Sequence, residues 1–461
     1  LEHMLFKGTD RFGTVDFSKE QIHLDRITAL YEEHFNSSDP AERKSIMAQI
    51  SQESALAATY AIPNEFDRMY QSLGGSRVNA HTSNEETVYK VQCPANAMRK
   101  WCLIESERFR NPVFRLFQTE IEAVYEEKNG SLDSKSSALY EAFLGGVYKN
   151  HPYGQQTTLG TVAHLKSPSI KRMYEFYSTY YVPNNMSLII SGDIKPQEAI
   201  KEISRAFGHW QARALPKEKS WQEKAFAGEE VAELSFAGQE QLMMGFRTVP
   251  ESHPDTYALQ LMDMILDNSQ AGLININLNQ KLKVKRAGCY PMTFRDYAHQ
   301  TFYGLPKQDQ TLEEVKELIL EQIDKVKNGE FEEWLLPAIV ADLSKSVQKA
   351  LESNEGRVST LRELFITRRS VDTNTAYISE MKKLSKKDVI RVAGKYFGNN
   401  YLVAYRRDKA VAKVKMAKPE FGKVKVDPDK QSLFATRVKG IPLEKMQARF
   451  MCGSGKVLEI I

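Results

Sequence analysis

Leu1-Glu2-His3-Met4-Leu5-Phe6-Lys7-Gly8-Thr9 and Glu120-Ile121-Glu122-Ala123-Val124-Tyr125-Glu126-Glu127-Lys128-Asn129 are the two stretches whose joint reading decides the fold of this chain. Taken alone, a Glu-His pair carries no information. The second stretch, taken alone, reads as a helix with a solvated acidic face and i,i+4 partners. Glu120 and Glu127 stand two turns apart on it, so both carboxylates lie on one side. What lies between and beyond the two stretches gives them meaning.

The chain has 461 residues, 42% hydrophobic and 26% charged, which is ordinary for globular protein and predicts two or three domains with sizeable cores. A net charge of +4 spread over this length says little about partners. No basic stripe with interleaved aromatic residues appears outside the C-terminal tail, so nucleic acid is not an expected partner. Cys93, Cys102, Cys289 and Cys452 show no C-x-x-C spacing and support neither a thiolate metal site nor a disulfide framework. No apolar run is long enough to span a membrane as a helix.

The opening nonapeptide resembles the second half of the H-x-x-E-H helix of the inverted zinc peptidases, the pitrilysin/insulinase family. Residues 120–127 match that family's Glu-x-x-x-Val-x-x-Glu helix at Glu120, Val124 and Glu127. The resemblance implies one Zn2+ per site, with His3 and Glu127 as ligands. A further histidine is expected two positions before Leu1, after a strand that also precedes the sequence. Glu2 would be the general base, and Glu120 the group whose hydrogen bond orients a ligand histidine. The chemistry explains the residue types. Histidines one helical turn apart share a face, and zinc lowers the pKa of its bound water to about 7, so that a neighbouring carboxylate can take the proton.

Between the two stretches, residues 16–62 read as an inserted helical pair. The first helix is expected from Phe17 to Phe35 with Ile22, Ile27, Leu30 and Tyr31 on its apolar face. Asp39-Pro40-Ala41-Glu42 has the residues of a capping box, opening a second helix through Ile46, Ile50 and Leu56 to Tyr60. The pair is either a lid or docking surface, or a packed scaffold. It lengthens the interval from His3 to Glu127 to 124 positions, from the roughly 80 usual in the family. Residues 73–91 then read as a glycine turn and two alternating strands. Their Asn79-Ala80-x-Thr82 core resembles the strand to which these peptidases add the substrate backbone, making Asn79 and Ala80 candidate substrate-binding residues. His81 and His151 read as structural rather than as ligands. His151-Pro-Tyr-Gly154, Leu159-Gly-Thr161, Tyr180–Asn185 and Leu188–Asp193 are further marks in the family's order.

After a linker at 209–228 the pattern begins again. Strands are expected at Val231–Phe236 and Gln241–Phe246, and helices at Tyr257–Leu266, Leu312–Lys327 and Phe331–Glu352. The stretch around Asn400 echoes that around Asn185 at an offset of 215 residues. The helix at 255–266 has no His or Glu in metal-binding register, so the second copy reads as inert. From Val411 the chain alternates Lys and Val and reads as too irregular for a core.

The expected fold is therefore α+β, with two homologous domains, each a mostly antiparallel sheet with helices packed on it, of the LuxS/MPP-like metallopeptidase type. The expected plan is a zinc-site domain at 1–208 lacking its first strand, a linker at 209–228, a non-catalytic domain at 229–410, and a connector at 411–461 to a missing second half. The implied function is that of a zinc metalloendopeptidase cutting unstructured peptides, working with a homologous second half, with this fragment itself inactive. The alternative is a non-catalytic partner subunit of the same fold. The resemblance points to the bacterial periplasm or cell envelope; cysteine usage leaves the compartment open.

Overall fold

The computed structural model describes residues 1–268, 270–410, 424, 426–443, 448–451 and 457–460. The helical pair forms as α1 (Phe17–Asn36) and α2 (Pro40–Ala58), lying side by side. Asp16 caps α1 by accepting from the Lys19 amide, and Asp39 caps α2 by accepting from the Ala41 amide at 2.9 Å. The capping box is only half made. Glu42 turns back to accept the Ser37 hydroxyl at 2.6 Å, because the short turn between the helices brings that hydroxyl within its reach. Ile22 is also not on the buried face: it is 70% exposed, as Leu56 largely is, whereas Ile27, Leu30, Tyr31, Ile46 and Ile50 are buried.

Helix α3 (Glu65–Ser72) leads into an antiparallel hairpin of β1 (Ser76–Thr82) and β2 (Thr87–Gln92), followed by α4 (Met98–Arg108), α5 (Phe117–Asp133) and α6 (Lys135–Val147). Met4 and Leu5 of the opening turn share one core with Ile27, Leu30, Tyr31, Ile46 and Ile50 of the pair and with Phe117, Ile121 and Tyr125 of α5. Tyr31 meets Phe117 edge to face at 5.1 Å, so α1 is packed directly on the helix that carries Glu120 and Glu127.

The C-terminal region holds a five-stranded sheet in the order β3-β7-β4-β6-β5, formed by β3 (Glu229–Ser235), β4 (Gln241–Thr248), β5 (Arg286–Thr293), β6 (Ala298–Leu305) and β7 (Tyr401–Arg407). Only β3 and β7 run parallel. Helices Thr256–Leu266, Leu312–Lys327 and Lys386–Tyr396 close one face around Phe246 and Phe302. The third long helix starts at Leu335 rather than Phe331, whose ring is already buried before the helix begins. The other face is covered from the N-terminal domain. Leu139, Phe143 and Val147 of α6 pack on Met243, Leu402 and Ala404. Gly245 permits this approach, since a Cβ there would stand 2.7 Å from the Phe143 ring.

Residues 209–228 contain no helix or strand but are pinned in place. The Glu223 carboxylate accepts from the amides of Lys149, Asn150 and His151, and the Trp221 carbonyl accepts from the Tyr297 hydroxyl at 3.0 Å. The two echoing stretches differ in structure. Residues 401–407 form β7, buried between β3 and β4, whereas 186–190 pair with no strand among the described residues.

The run at 411–423 lies outside the described residues. The tail beyond it corrects the expectation that this region forms no core. Helix Leu433–Gly440 returns to the N-terminal domain and buries Phe434, Ala435 and Val438 against Phe12, Phe66, Met69 and Ile104. The Glu65 carboxylate joins the two regions by accepting from the amides of Gly13 and Ser432, each at 2.6 Å. The regular spacing of Phe434, Ala435 and Val438 suits one face of a single short helix, a signal easily lost beside the charged run that precedes it.

Candidate metal and peptide site

Residues Glu2–Phe6 form a 3-10 turn whose Met4 and Leu5 face the core, leaving Glu2 and His3 on the outer side. His3 Nδ1 stands 3.2 Å from Glu120 Oε2 on α5. The other oxygen of Glu120 is taken by the Lys7 ammonium, one turn beyond His3. His3 Nε2 has no hydrogen-bond partner among the described residues. The Glu120 hydrogen bond raises the His3 pKa against the opposing effect of partial burial, and the charges of Glu127, Glu120 and Glu2 add to it. Burial works to raise Glu120, but its bonds to His3 and Lys7 outweigh this and hold its carboxyl below the ordinary range.

Glu127, two turns along α5, is exposed, and its carboxylate makes no hydrogen bond or ion pair among the described residues. Glu2 is joined to the hairpin: its carboxylate accepts the Thr82 hydroxyl at 2.5 Å, and its carbonyl accepts the Tyr89 hydroxyl at 3.4 Å. Tyr89 in turn lies 3.3 Å from the Tyr181 hydroxyl, and burial pushes its pKa up. Behind this group the buried Arg108 guanidinium faces the rings of Phe6, Phe66, Tyr89 and Phe109 at 4.6–5.4 Å. It thereby ties the opening turn to β2 and α4.

The structure thus brings Glu2, His3 and Glu120 together and sets Glu127 near enough for its charge to act on His3. A histidine held by a carboxylate at Nδ1 and open at Nε2 has the arrangement of a metal-binding imidazole. The donor set falls short of a complete site. Among the described residues no group of three or more His, Cys, Asp or Glu is placed to hold an ion, while a catalytic zinc takes three protein ligands.

Strand β1 pairs with β2 on one side and with no other strand among the described residues. Asn79 is exposed on it, and its side-chain oxygen accepts the Ala80 amide at 2.9 Å, occupying one main-chain donor. His81 lies 3.2 Å from Arg362 of helix Asn354–Ile366. His151 is buried; its Nδ1 accepts the Tyr153 amide, and its Nε2 is 3.3 Å from Asp296. Sequence reasoning missed Lys7, Thr82 and Tyr89 as neighbours of the site. Lys7 and Thr82 sit in quoted motifs, the opening nonapeptide and the Asn-Ala-x-Thr core, whereas Tyr89 carries no such signal.

A family model described as the peptidase M16 inactive domain matches residues 169–343. The zinc protease PqqE of Helicobacter pylori is 24% identical over 341 residues, covering 72% of this chain and 76% of that protein. The crystal structure of a protease from Helicobacter pylori aligns with a TM-score of 0.70 at 22% identity, over 76% of this chain and 86% of that one. The periplasmic protease PqqL from Escherichia coli aligns with a TM-score of 0.63 at 15% identity, over 83% of this chain but 45% of that chain. A structure of the first half of PqqL is covered to 86%, with a TM-score of 0.62 at 16% identity. No helix among the described residues is long and apolar enough to cross a membrane.

Proposed function

Because the chain belongs to the pitrilysin/insulinase-type M16 peptidase family, we propose that it is the N-terminal half of a zinc metalloendopeptidase that cleaves extended peptides. The observation that carries this reading is His3, held at Nδ1 by Glu120, next to Glu2 and within the charge influence of Glu127, with no partner for His3 Nε2 or the Glu127 carboxylate among the described residues. In this reading His3 and Glu127 are zinc ligands, and the histidine expected before Leu1 is the third. Bound zinc would polarise a water and the peptide carbonyl. Glu2 takes the water's proton on its carboxylate, with Thr82 fixing the rotamer of that carboxylate. Glu120 holds the His3 ring, and Lys7 keeps Glu120 charged. The open edge of β1 takes the peptide backbone as an added strand once the Asn79 side chain leaves the Ala80 amide. The coverage of the first half of PqqL supports a homologous second half, in the same chain or as a separate subunit, and supports the periplasm or cell envelope as the compartment.

The test is metal analysis beside a peptide-cleavage assay, on the chain extended through that histidine and combined with its second half. Glu2→Gln is expected to keep zinc and lose turnover, whereas His3→Ala and Glu127→Ala lose both. Normal cleavage by Glu2→Gln would remove Glu2 as the base. The 461-residue chain alone should bind zinc poorly and cleave nothing at a useful rate. A second reading, a non-catalytic partner subunit, draws on the inactive type of the family model at 169–343. It requires that the extended wild-type chain, too, bind no zinc.

A further inference from the structure

We propose that Arg115, locked by Glu20 of the helical pair, is the positioning residue that fixes residues 7–13 against the base of α5, so that α1 braces the metal site. The inference rests on the reading of that site given above. Arg115 is 1% exposed and Glu20 0%. Arginine has five N–H donors in a planar fork, and here all five have acceptors. Nε donates to Glu20 Oε1 at 2.9 Å, and Nη2 donates to Glu20 Oε2 at 3.2 Å. Nη2 also reaches the Thr9 carbonyl at 2.7 Å, while Nη1 donates to the carbonyls of Lys7 at 2.7 Å and Phe12 at 3.2 Å.

The loop is shaped to receive this group. Gly8 and Gly13 have φ of +98° and +81°, and a Cβ at either would stand 2.8 Å from Arg115 Nη1. Arg115 lies next to Leu116, the left-handed residue that precedes α5, so its position is passed directly to the helix bearing Glu120 and Glu127. The connections are continuous. Glu20 holds Arg115, Arg115 holds the Lys7 carbonyl, the Lys7 ammonium pairs with Glu120, and Glu120 holds His3. A buried ion pair is weak evidence for stability by itself, but one that spends three donors on loop carbonyls fixes a geometry. The helical pair, from this side, supplies the anion that keeps the guanidinium in place.

The test uses hydrogen–deuterium exchange on the folded 461-residue chain. Lysine has three donors and cannot serve a carboxylate and three carbonyls together. In Arg115→Lys, exchange across residues 3–13 and the first turns of α5 is expected to rise about tenfold or more, while helix Leu312–Lys327 keeps the wild-type rate. Glu20→Asp, which keeps the charge one methylene shorter, is expected to give a smaller rise confined to the same segments, and it replaces Arg115→Lys if that variant does not fold. In the extended chain with its second half, the same variants should lower kcat with KM for the peptide unchanged. Wild-type exchange at 3–13 in a folded variant, or equal loosening in both domains, overturns the brace. A wild-type protein that cleaves no peptide would instead refute the peptidase reading, and the exchange result would still decide the brace.

Discussion

Replacing Phe434 by alanine measures how far the returning tail belongs to the folded unit. The ring is 8% exposed, stacks on Phe12 at 5.7 Å and 27°, and lies 5.4 Å from the Arg11 guanidinium. Truncating a buried phenylalanine costs about 3–5 kcal/mol where the surroundings cannot collapse. Here the loss has a ceiling. Helix Leu433–Gly440 has 8 residues, too few to persist off the protein, so once docking turns unfavourable the segment leaves as a unit. The ties that remain are the Ser432 amide on Glu65 and the Arg68 guanidinium on the Pro428 and Lys430 carbonyls. Hydrogen bonds to charged groups contribute about 1.5–3 kcal/mol each, enough to hold residues 428–432 in place after the helix has left. The expected result is a loss of about 1–2 kcal/mol in global stability by urea denaturation, with exchange at 433–440 approaching that of a free peptide. A tail that stays protected in Phe434→Ala, or a global loss above about 3 kcal/mol, would show the reasoning to be wrong.

Ile22→Lys should change stability by no more than about 0.5 kcal/mol, whereas Ile27→Ala should cost about 2–4 kcal/mol; urea denaturation of the two variants reads which face of α1 is buried. Burial pushes the Asp263 carboxyl up to about 6, against the hydrogen bonds from Gln300 and Cys289. The native state therefore holds a proton that the unfolded chain releases near pH 4, and stability falls as pH rises from about 4 to about 6 and then levels. Asp263→Asn removes that fall. It should be more stable than the parent by about 2–3 kcal/mol at neutral pH and nearly equal at about pH 4, measured by denaturation at both values.

The helices were legible where periodicity and caps agreed. Asp39 starts α2 as its Asp-Pro-Ala-Glu stretch suggests, and Leu312–Lys327 forms with the expected bounds, opened by a capping box of Thr311 and Glu314. Faces were less legible. Ile22 satisfies helical spacing, yet what decides its exposure is which side of α1 meets α5. The candidate site was readable only through its motif. Its supporting groups, Lys7, Thr82, Tyr89 and Arg115, come from four separate elements, and nothing in local sequence says that a lysine one turn beyond a histidine will share its carboxylate. Asp39 and Glu42 show the reverse case, a correct local signal overridden by a nearer hydroxyl.

Helix α6 has a mechanical consequence. It follows α5 directly in the chain, yet Leu139, Phe143 and Val147 are buried against strands of the other domain. The open stretch at 209–228 has the composition of a hinge, but swinging about it would strip those three side chains from the sheet, at about 1.5–3 kcal/mol each. The domains are therefore bolted together, and the chain moves as a single plate. On the proposed peptidase reading, a gap that admits a peptide opens between this plate and the second half.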